Sequence, residues 1–288
     1  MSKVCVISID PTFGNGPSVV NALAEKVDVE AVFQRKDKKG MWKNCKAKYG
    51  FECIPTDADL YIVIGGGTLQ RVAHRIVGKK VKLIITDTRY RSATIKIDDL
   101  IEKLNAEVFC MPDLWHLCKF EKKAFYQPFN ISKIKIRKRN PVFLCHSPYS
   151  DAKSKRKGTE EIIEVFKKMQ DKYGISYRII KGLQWRKCLK IKARAHIFVD
   201  QYIHGEYIGG VGKSGLESML LKCLTISSGR PVKTDIPDPP VVWCNERLGR
   251  VINRYILKKE KRNETIEKQY EWAKKYTSFD FVASRLLS

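Results

Sequence analysis

The chain of 288 residues has few acidic side chains: 31 Asp and Glu stand against 55 Lys and Arg, and the formal net charge is +24 at pH 7. This excess favours a polyanionic partner, such as nucleic acid, an acidic membrane surface or a phosphorylated ligand. The longest apolar runs are about six to seven residues, whereas a membrane-spanning helix needs about 20. The N-terminal residues do not resemble a signal peptide. We therefore expect a cytoplasmic protein, in the host cytoplasm if it is viral, without transmembrane segments.

Metal-binding and redox signatures are also missing. None of the nine cysteines forms a CxxC pair, which disfavours zinc ribbons and thioredoxin-like motifs and favours free thiols in a reducing compartment. No cluster has metal-ligand spacing, so no visible motif requires a divalent metal. A hydrophobic content of 43% excludes a wholly disordered chain.

Apolar runs alternate with helical patterns over the first 128 residues. The patterns predict strands at 3–9, 27–34, 58–64, 81–86 and 107–110, and helices at 19–25, 69–77 and 98–104. Ser18 is the predicted N-cap of the first helix, and residues 35–50 are a predicted loop. The alternation predicts right-handed βαβ units around a parallel sheet.

The same alternation restarts after a basic stretch that ends at Pro141. Strands are predicted at 141–145, 176–180, 195–199 and 224–227, and helices at 159–172, 184–193, 216–222 and from 263 to the end. Thr159 is the predicted N-cap of the 159–172 helix. The predicted fold class is α/β, with two Rossmann-like doubly wound domains that face a central cleft. The predicted domains are 1–128, a linker at 129–140, 141–262, and a C-terminal helical segment at 263–288.

Two stretches of the second half carry the residues of a phosphate site. Lys153, Arg156 and Lys157 precede Gly158 and a helix start, where point charges and the helix dipole favour the same anion. Glu217 lies in the first turn of a later helix, where a carboxylate can accept hydrogen bonds from the two hydroxyls of a ribose. The triplet at 212–214 is not a Walker A motif, because Tyr207 stands where that motif needs Gly.

The segments HSPYSDAKSKRKGTEEIIEVFKKM and HIFVDQYIHGEYIGGVGKSGLESMLLKC resemble the nucleotide-sugar-binding half of GT-B glycosyltransferases of the glycosyltransferase-4 type. The resemblance covers about residues 141–230. It implies that Lys157 holds the diphosphate of a UDP- or GDP-sugar and Glu217 its ribose. It also implies a GT-B fold, retention of anomeric configuration, and a closing helix that returns to the N-terminal domain.

The sequence departs from the family pattern on the sugar side. The acidic residue expected eight positions before Glu217 is replaced by Gly209, and Glu206 is the nearest acid. Sugar contact is therefore assigned to Glu206 or to the backbone around 209–212. The other candidate donor-binding residues are those at the helix start, Gly210, Gly212, Lys213 and Ser214.

The first half supplies candidates for catalysis and acceptor binding. Asp87 and Asp10 follow predicted strands, where either carboxylate can act as a base towards an acceptor hydroxyl. Arg89 and Arg91 can steer an anionic acceptor. Gly14 and Gly16 are placed along the cleft, as donor-side or acceptor-side residues.

The charge suggests what the acceptor is. Residues 129–288 carry 34 basic and 16 acidic side chains, and basic positions at 133–139, 186–194 and 254–262, with nearby aromatics, suit a nucleic-acid groove. In size and charge the chain resembles the DNA-glucosylating GT-B enzymes of bacteriophages. The leading hypothesis is transfer of a sugar to a hydroxymethylated base in DNA. The alternatives are an envelope lipid or polysaccharide glycosyltransferase with peripheral membrane contact, and a non-catalytic nucleic-acid-binding protein.

Overall fold

The computed structural model describes residues 3–9, 15–34, 46–86, 89–138, 140–148, 157–202, 210–228, 232–244 and 247–288. The chain divides into two compact units. The first comprises Met1–Phe129 with Thr234–Ile236 and Tyr276–Ser288. The second comprises Asn130–Lys233 and Pro237–Lys275.

The first unit contains a seven-stranded parallel sheet in the order β3-β2-β1-β4-β5-β6-β7. Its strands are β1 Lys3–Ser8, β2 Asp28–Phe33, β3 Lys46–Tyr49, β4 Leu60–Ile64, β5 Val81–Ile85, β6 Glu107–Cys110 and β7 Lys122–Ala124. Its helices are α1 Asn15–Leu23, α2 Gly66–Val72 and α3 Arg89–Leu104, and short 3-10 helices occupy Phe51–Cys53, Ala73–Arg75 and Pro112–Leu117.

Both faces of this sheet are buried, which is why its strands are continuous apolar runs. Successive residues of β1 enter different cores, Cys5 and Ile7 on one face and Val4 and Val6 on the other. The C-terminal helix of the chain, Phe279–Leu287, adds its buried side chains to the second of these cores, beside those of α1. The last helix therefore belongs to the core of the first unit.

The second unit contains a five-stranded parallel sheet in the order β12-β11-β10-β8-β9. Its strands are β8 Phe143–His146, β9 Ser176–Ile179, β10 Ile197–Gln201, β11 Leu224–Ser227 and β12 Val242–Trp243. Its helices are α4 Thr159–Tyr173, α5 Trp185–Lys192, α6 Lys213–Leu220, α7 Leu248–Leu257 and α8 Lys259–Tyr276. The last helix of the chain, α9 Phe279–Leu287, is the one that belongs to the first unit. The direction of strand order reverses between β8 and β10, and ligands of doubly wound sheets bind at such a switch point.

The prediction of two doubly wound α/β units is confirmed, and the differences from the sequence analysis are local. The predicted loop at 35–50 contains β3, which was missed because its alternating lysines give it a polar composition. Ser18 lies inside α1 and is not its N-cap, and α3 begins at Arg89 and not at 98. Residues 263–275 cluster with the second unit, so within the C-terminal stretch only the part from Tyr276 joins the first unit.

Within the part of the chain that the structure describes, no helix has the length and apolar character needed to cross a membrane.

Candidate functional site

The candidate site lies at the carboxyl ends of β8 and β10, on either side of the switch point of the second sheet. His146 ends β8, and the chain enters α4 through Lys157 and Gly158. Asp200 is the fourth residue of β10, and Gly212 is the N-cap of α6. Because these ends meet at one edge of a parallel sheet, residues that are 66 positions apart form one site.

A buried carboxylate connects the two halves of this site. Asp200 is 0% exposed, and its Oδ1 accepts a hydrogen bond of 2.8 Å from the Lys157 ammonium. Its Oδ2 accepts a hydrogen bond of 2.8 Å from the backbone N–H of Gly212. Burial alone would raise the pKa of Asp200, but Lys157 and the Gly212 N–H hold that pKa below its usual value. Asp200 therefore stays ionised and fixes the start of α6 relative to Lys157.

Gly158 is required by the close approach of two backbone segments. Its φ of 63° is left-handed, and a Cβ at this position would lie 1.8 Å from the carbonyl oxygen of Tyr202. The Tyr202 N–H donates to the carbonyl oxygen of Lys157 at 3.0 Å. These contacts set the position from which Lys157 reaches the edge of the sheet.

His146 is buried and neutral beside the lysine. Its Nδ1 lies 2.7 Å from the carbonyl oxygen of Val199, which can only accept, so Nδ1 carries the proton. Its Nε2 lies 2.9 Å from the Thr159 hydroxyl, which donates to it. Burial, followed by the charge of Lys157, lowers the pKa of His146 to about 4. Thr159 thus bonds a histidine, whereas the sequence analysis made it the N-cap of α4; the N-cap is Gly158.

Glu217 belongs to a second buried ionic group, on α6. The helix begins at Lys213, so Glu217 is its fifth residue and does not lie in the first turn, where it was predicted. Its Oε2 accepts a hydrogen bond of 2.6 Å from the Lys192 ammonium, and its Oε1 accepts one of 2.7 Å from the Trp185 indole. Lys192 also donates to the Ser214 hydroxyl at 2.6 Å and lies over the Phe198 ring. Burial alone would raise the pKa of Glu217, yet the charges of Lys192 and Lys213 hold it below its usual value.

The arrangement suits an anion. Lys157 retains 19% of its side-chain exposure, whereas Asp200 has none, so the ammonium is the accessible member of that pair. The N-terminus of α6 begins beside it, and its dipole adds to the attraction for a negative group. The Lys157 ammonium already has the Asp200 carboxylate as a partner, so its charge is compensated within the protein.

Several of the predicted donor residues come together in this unit. Lys157 and Gly212 share Asp200 as a partner, and Ser214 and Glu217 share Lys192. Gly210 and Lys213 flank the N-cap of α6.

The first unit holds other predicted site residues. Gly16 lies within α1, where a Cβ would be 3.3 Å from Ser8 Cβ, so this glycine permits close packing on β1. Arg89 and Arg91 belong to the first turn of α3. The remaining candidates lie outside the described residues: Asp10, Gly14, Asp87, Lys153, Arg156, Glu206 and Gly209.

Four site residues were not selected from the sequence: His146, Trp185, Lys192 and Asp200. A charged residue directly after the apolar run 197–199 was the available signal for Asp200. Lys192 had a weaker signal, because a lysine in the lysine-rich helix α5 reads as surface. The described residues contain no group of three or more His, Cys, Asp or Glu that could hold a metal ion.

Comparisons with known proteins support the architecture. No family model matches the sequence, and no curated protein matches it. Among solved structures, HepE of Anabaena in complex with UDP and glucose has a TM-score of 0.69 at 10% identity, over 100% of this chain and 98% of its own. Sucrose-phosphate synthase of Thermosynechococcus elongatus has a TM-score of 0.69 at 11% identity, over 99% and 97%.

AviGT4, a glycosyltransferase involved in avilamycin A biosynthesis, aligns over 100% of this chain and 96% of its own, with a TM-score of 0.53 at 11% identity. At such identities the likeness shows the fold and does not show the chemistry of the site. With its two parallel-sheet α/β units matched over the full length of these neighbours, the chain has the GT-B fold of glycosyltransferases.

Proposed function

We propose that the protein is a glycosyltransferase that moves a hexosyl group from UDP to a hydroxyl acceptor, with retention. The observation that carries the proposal is the Lys157 ammonium, held at the switch point of the second sheet by the buried Asp200 and next to the N-terminus of α6. UDP in the HepE complex makes UDP the donor nucleotide of choice.

Lys157 is proposed to hold the donor diphosphate and to stabilise it as the leaving group. Negative charge grows on the phosphate oxygen as the glycosidic bond breaks, and a fixed cation at that oxygen lowers the barrier. Asp200 orients the ammonium. Gly210, Gly212, Lys213 and Ser214 are proposed to offer backbone and side-chain donors around the same group, with Lys153 and Arg156 as further cations.

Glu217 is proposed to bind the ribose. Each oxygen already accepts one hydrogen bond, and an ionised carboxylate has room for about four. This leaves acceptor capacity for two ribose hydroxyls, although Glu217 is only 4% exposed, so the donor has to uncover its carboxylate on binding. Glu206 or the backbone at Gly209 is proposed to contact the sugar.

In the first unit, Asp87 or Asp10 is proposed as the carboxylate that activates or orients the acceptor hydroxyl, with Arg89 and Arg91 attracting an anionic acceptor. Gly14 and Gly16 are proposed to lie on the path of donor or acceptor. The proposed acceptor is a hydroxymethylated base in DNA, because the net charge of +24 exceeds what one diphosphate needs. A base inside a duplex would have to be flipped out of the stack.

The test is an assay of the purified chain with radiolabelled UDP-glucose, UDP-N-acetylglucosamine and GDP-mannose. Hydroxymethylcytosine-containing DNA is the acceptor, and unmodified DNA of the same sequence is the control. We expect transfer from a UDP-sugar to the modified DNA alone. Hydrolysis of a UDP-sugar without transfer to DNA would support the donor site and reject this acceptor. Inertness towards all three donors would reject the proposed function.

A further inference from the structure

Two segments that are far apart in sequence form one strongly basic surface on the second unit. The first is the connection 131–138, which leads into β8, and the second is α5. We call their exposed cations the basic face, which consists of Lys133, Lys135, Arg137, Arg186, Lys187 and Lys190.

The contacts between the segments are specific. Ile131 and Ile134 pack on the core cluster that contains Leu189. The Arg137 N–H donates to the carbonyl oxygen of Ala193 at 3.0 Å, and the Lys138 ammonium donates to the carbonyl oxygen of Ala195. The connection therefore runs against the C-terminal end of α5, with the side chains of Lys133, Lys135 and Arg137 exposed.

The charge of the basic face is not neutralised locally. Neither segment contains an acidic residue, and none occurs between Asp171 and Asp200. Among the described residues, none of the six cations forms an ion pair with a carboxylate. The contrast within α5 is clear, since its inward lysine, Lys192, is paired with Glu217. Three of the six unpaired cations lie on one helix of about 12 Å, where they repel one another, and this cost is recovered when a polyanion binds.

We propose that the basic face binds the sugar–phosphate backbone of DNA. The outer side of α5 presents Arg186, Lys187 and Lys190, while its aliphatic residues Leu189 and Ile191 are buried or half-buried in the cluster beneath. A helix that binds a bilayer exposes a continuous apolar side to insert between lipids. α5 exposes one large apolar side chain, Trp185, beside three cations, which favours a phosphate backbone over lipid. Trp185, held by Glu217 and 37% exposed, gives the start of α5 an aromatic ring on which an unpaired base can stack.

This inference rests on the proposed DNA acceptor for its purpose, but binding requires neither donor nor turnover. The third basic stretch of the sequence analysis, 254–262, is not part of the surface. Arg262 in that stretch is buried, with its guanidinium donating to the carbonyl oxygen of Tyr255 at 2.8 Å. Lys258, Lys259 and Lys261 are exposed in the same unit and provide a control of equal charge.

The experiment compares the full-length chain with two triple variants. The first variant carries Arg186→Ala, Lys187→Ala and Lys190→Ala, and the control carries Lys258→Ala, Lys259→Ala and Lys261→Ala. Both lose three positive charges from exposed positions of one unit. Binding of a fluorescein-labelled duplex of mixed sequence is measured by anisotropy at several salt concentrations. UDP binding and thermal unfolding of both variants are measured to establish that the donor site and the fold are retained.

We expect the α5 variant to lose at least about tenfold in DNA affinity, and the slope of log K against log salt to fall by about 2 to 3. The control is expected to keep nearly the slope of the unchanged chain. Equal losses in both variants would overturn the proposal, since net charge alone would then explain binding. Binding to phosphatidylserine vesicles that the α5 variant alone loses, without binding to DNA, would also overturn it. If the proposed donor site is wrong, the chain does not bind UDP, and the difference in DNA affinity between the two variants is unchanged.

Discussion

Each unit contains a buried ion pair at one end of its strands, and the two pairs lie at opposite strand ends. In the first unit, Lys82 is completely buried and pairs with Glu107 at 2.8 Å, at the amino ends of β5 and β6. In the second, Asp200 pairs with Lys157 at 2.8 Å, at the carboxyl end of β10. Ligands bind beyond the carboxyl ends in folds of this kind. The pair of the second unit therefore lies at the strand ends where this type of fold binds ligands, and the pair of the first unit does not.

Substitution of the two buried lysines, Lys192 and Lys82, is expected to reduce stability by very different amounts. Lys192→Met leaves the Glu217 carboxylate buried with the Trp185 indole and the charge of Lys213, and is expected to destabilise the fold by about 3 to 5 kcal/mol. Lys82→Met leaves Glu107, which is 33% exposed and keeps Lys123 at 2.7 Å, and is expected to cost about 1 kcal/mol or less. Denaturant unfolding of both variants measures the difference. Equal costs would show that the two pairs are equivalent.

The two ends of α4 offer a second comparison, between glycines that share a left-handed backbone. Gly158→Ala brings a Cβ against the Tyr202 carbonyl oxygen, whereas Gly174→Ala meets nothing within 4 Å. We expect about 3 kcal/mol of destabilisation and loss of UDP binding from the first, and about 1 kcal/mol with UDP binding unchanged from the second. Unfolding curves and UDP titration measure both. Equal losses of stability and of UDP affinity in the two variants would show that the close approach of the Tyr202 carbonyl oxygen does not require a glycine at position 158.

The stability of the protein is expected to fall in acid because His146 is buried in its neutral form. The pKa of His146 is about 4 in the folded protein and about 6.5 when unfolded, so the unfolded chain binds the proton more tightly. Stability from this group is complete above pH 6.5 and is lost as pH falls towards 4, by about 2 kcal/mol between pH 7 and pH 5. Burial lowers the pKa of His196 to about 4 as well, so it contributes over the same window.

A His146→Gln variant is expected to keep the pH-dependent stability that comes from His196 and to lose the part that comes from His146. The readout is the slope of the unfolding free energy against pH, which does not depend on how stable the variant is at neutral pH. An unchanged slope would mean that His146 is accessible to protons in the folded state.

The sequence was most informative where one physical requirement dominates. Buried parallel strands must be apolar, so the runs at β1, β4 and β5 were found almost to the residue. Lys157 was selected because it ends a basic loop before Gly158 and a helix start, which is also the family pattern, and its role in donor binding stays a prediction.

Edge and tertiary features were missed. The strand β3 has lysines at alternate positions, and only its pairing with β2 and the Lys48–Glu30 ion pair explain them. The partners of Lys157 and Glu217 come from other strands and helices, and periodicity within one segment does not encode such contacts. Charge counts likewise gave three basic stretches, but not which two of them lie side by side.

In the proposed donor site, the Lys157 ammonium at the carboxyl edge of the second sheet binds UDP. This role is tested by calorimetric titration of UDP into the unchanged chain, Lys157→Met and Lys82→Met, because each substitution removes the lysine partner of a carboxylate in a different unit. We expect a loss of about tenfold to a hundredfold in UDP affinity for Lys157→Met and no change for Lys82→Met. Equal affinity of all three proteins for UDP would contradict it.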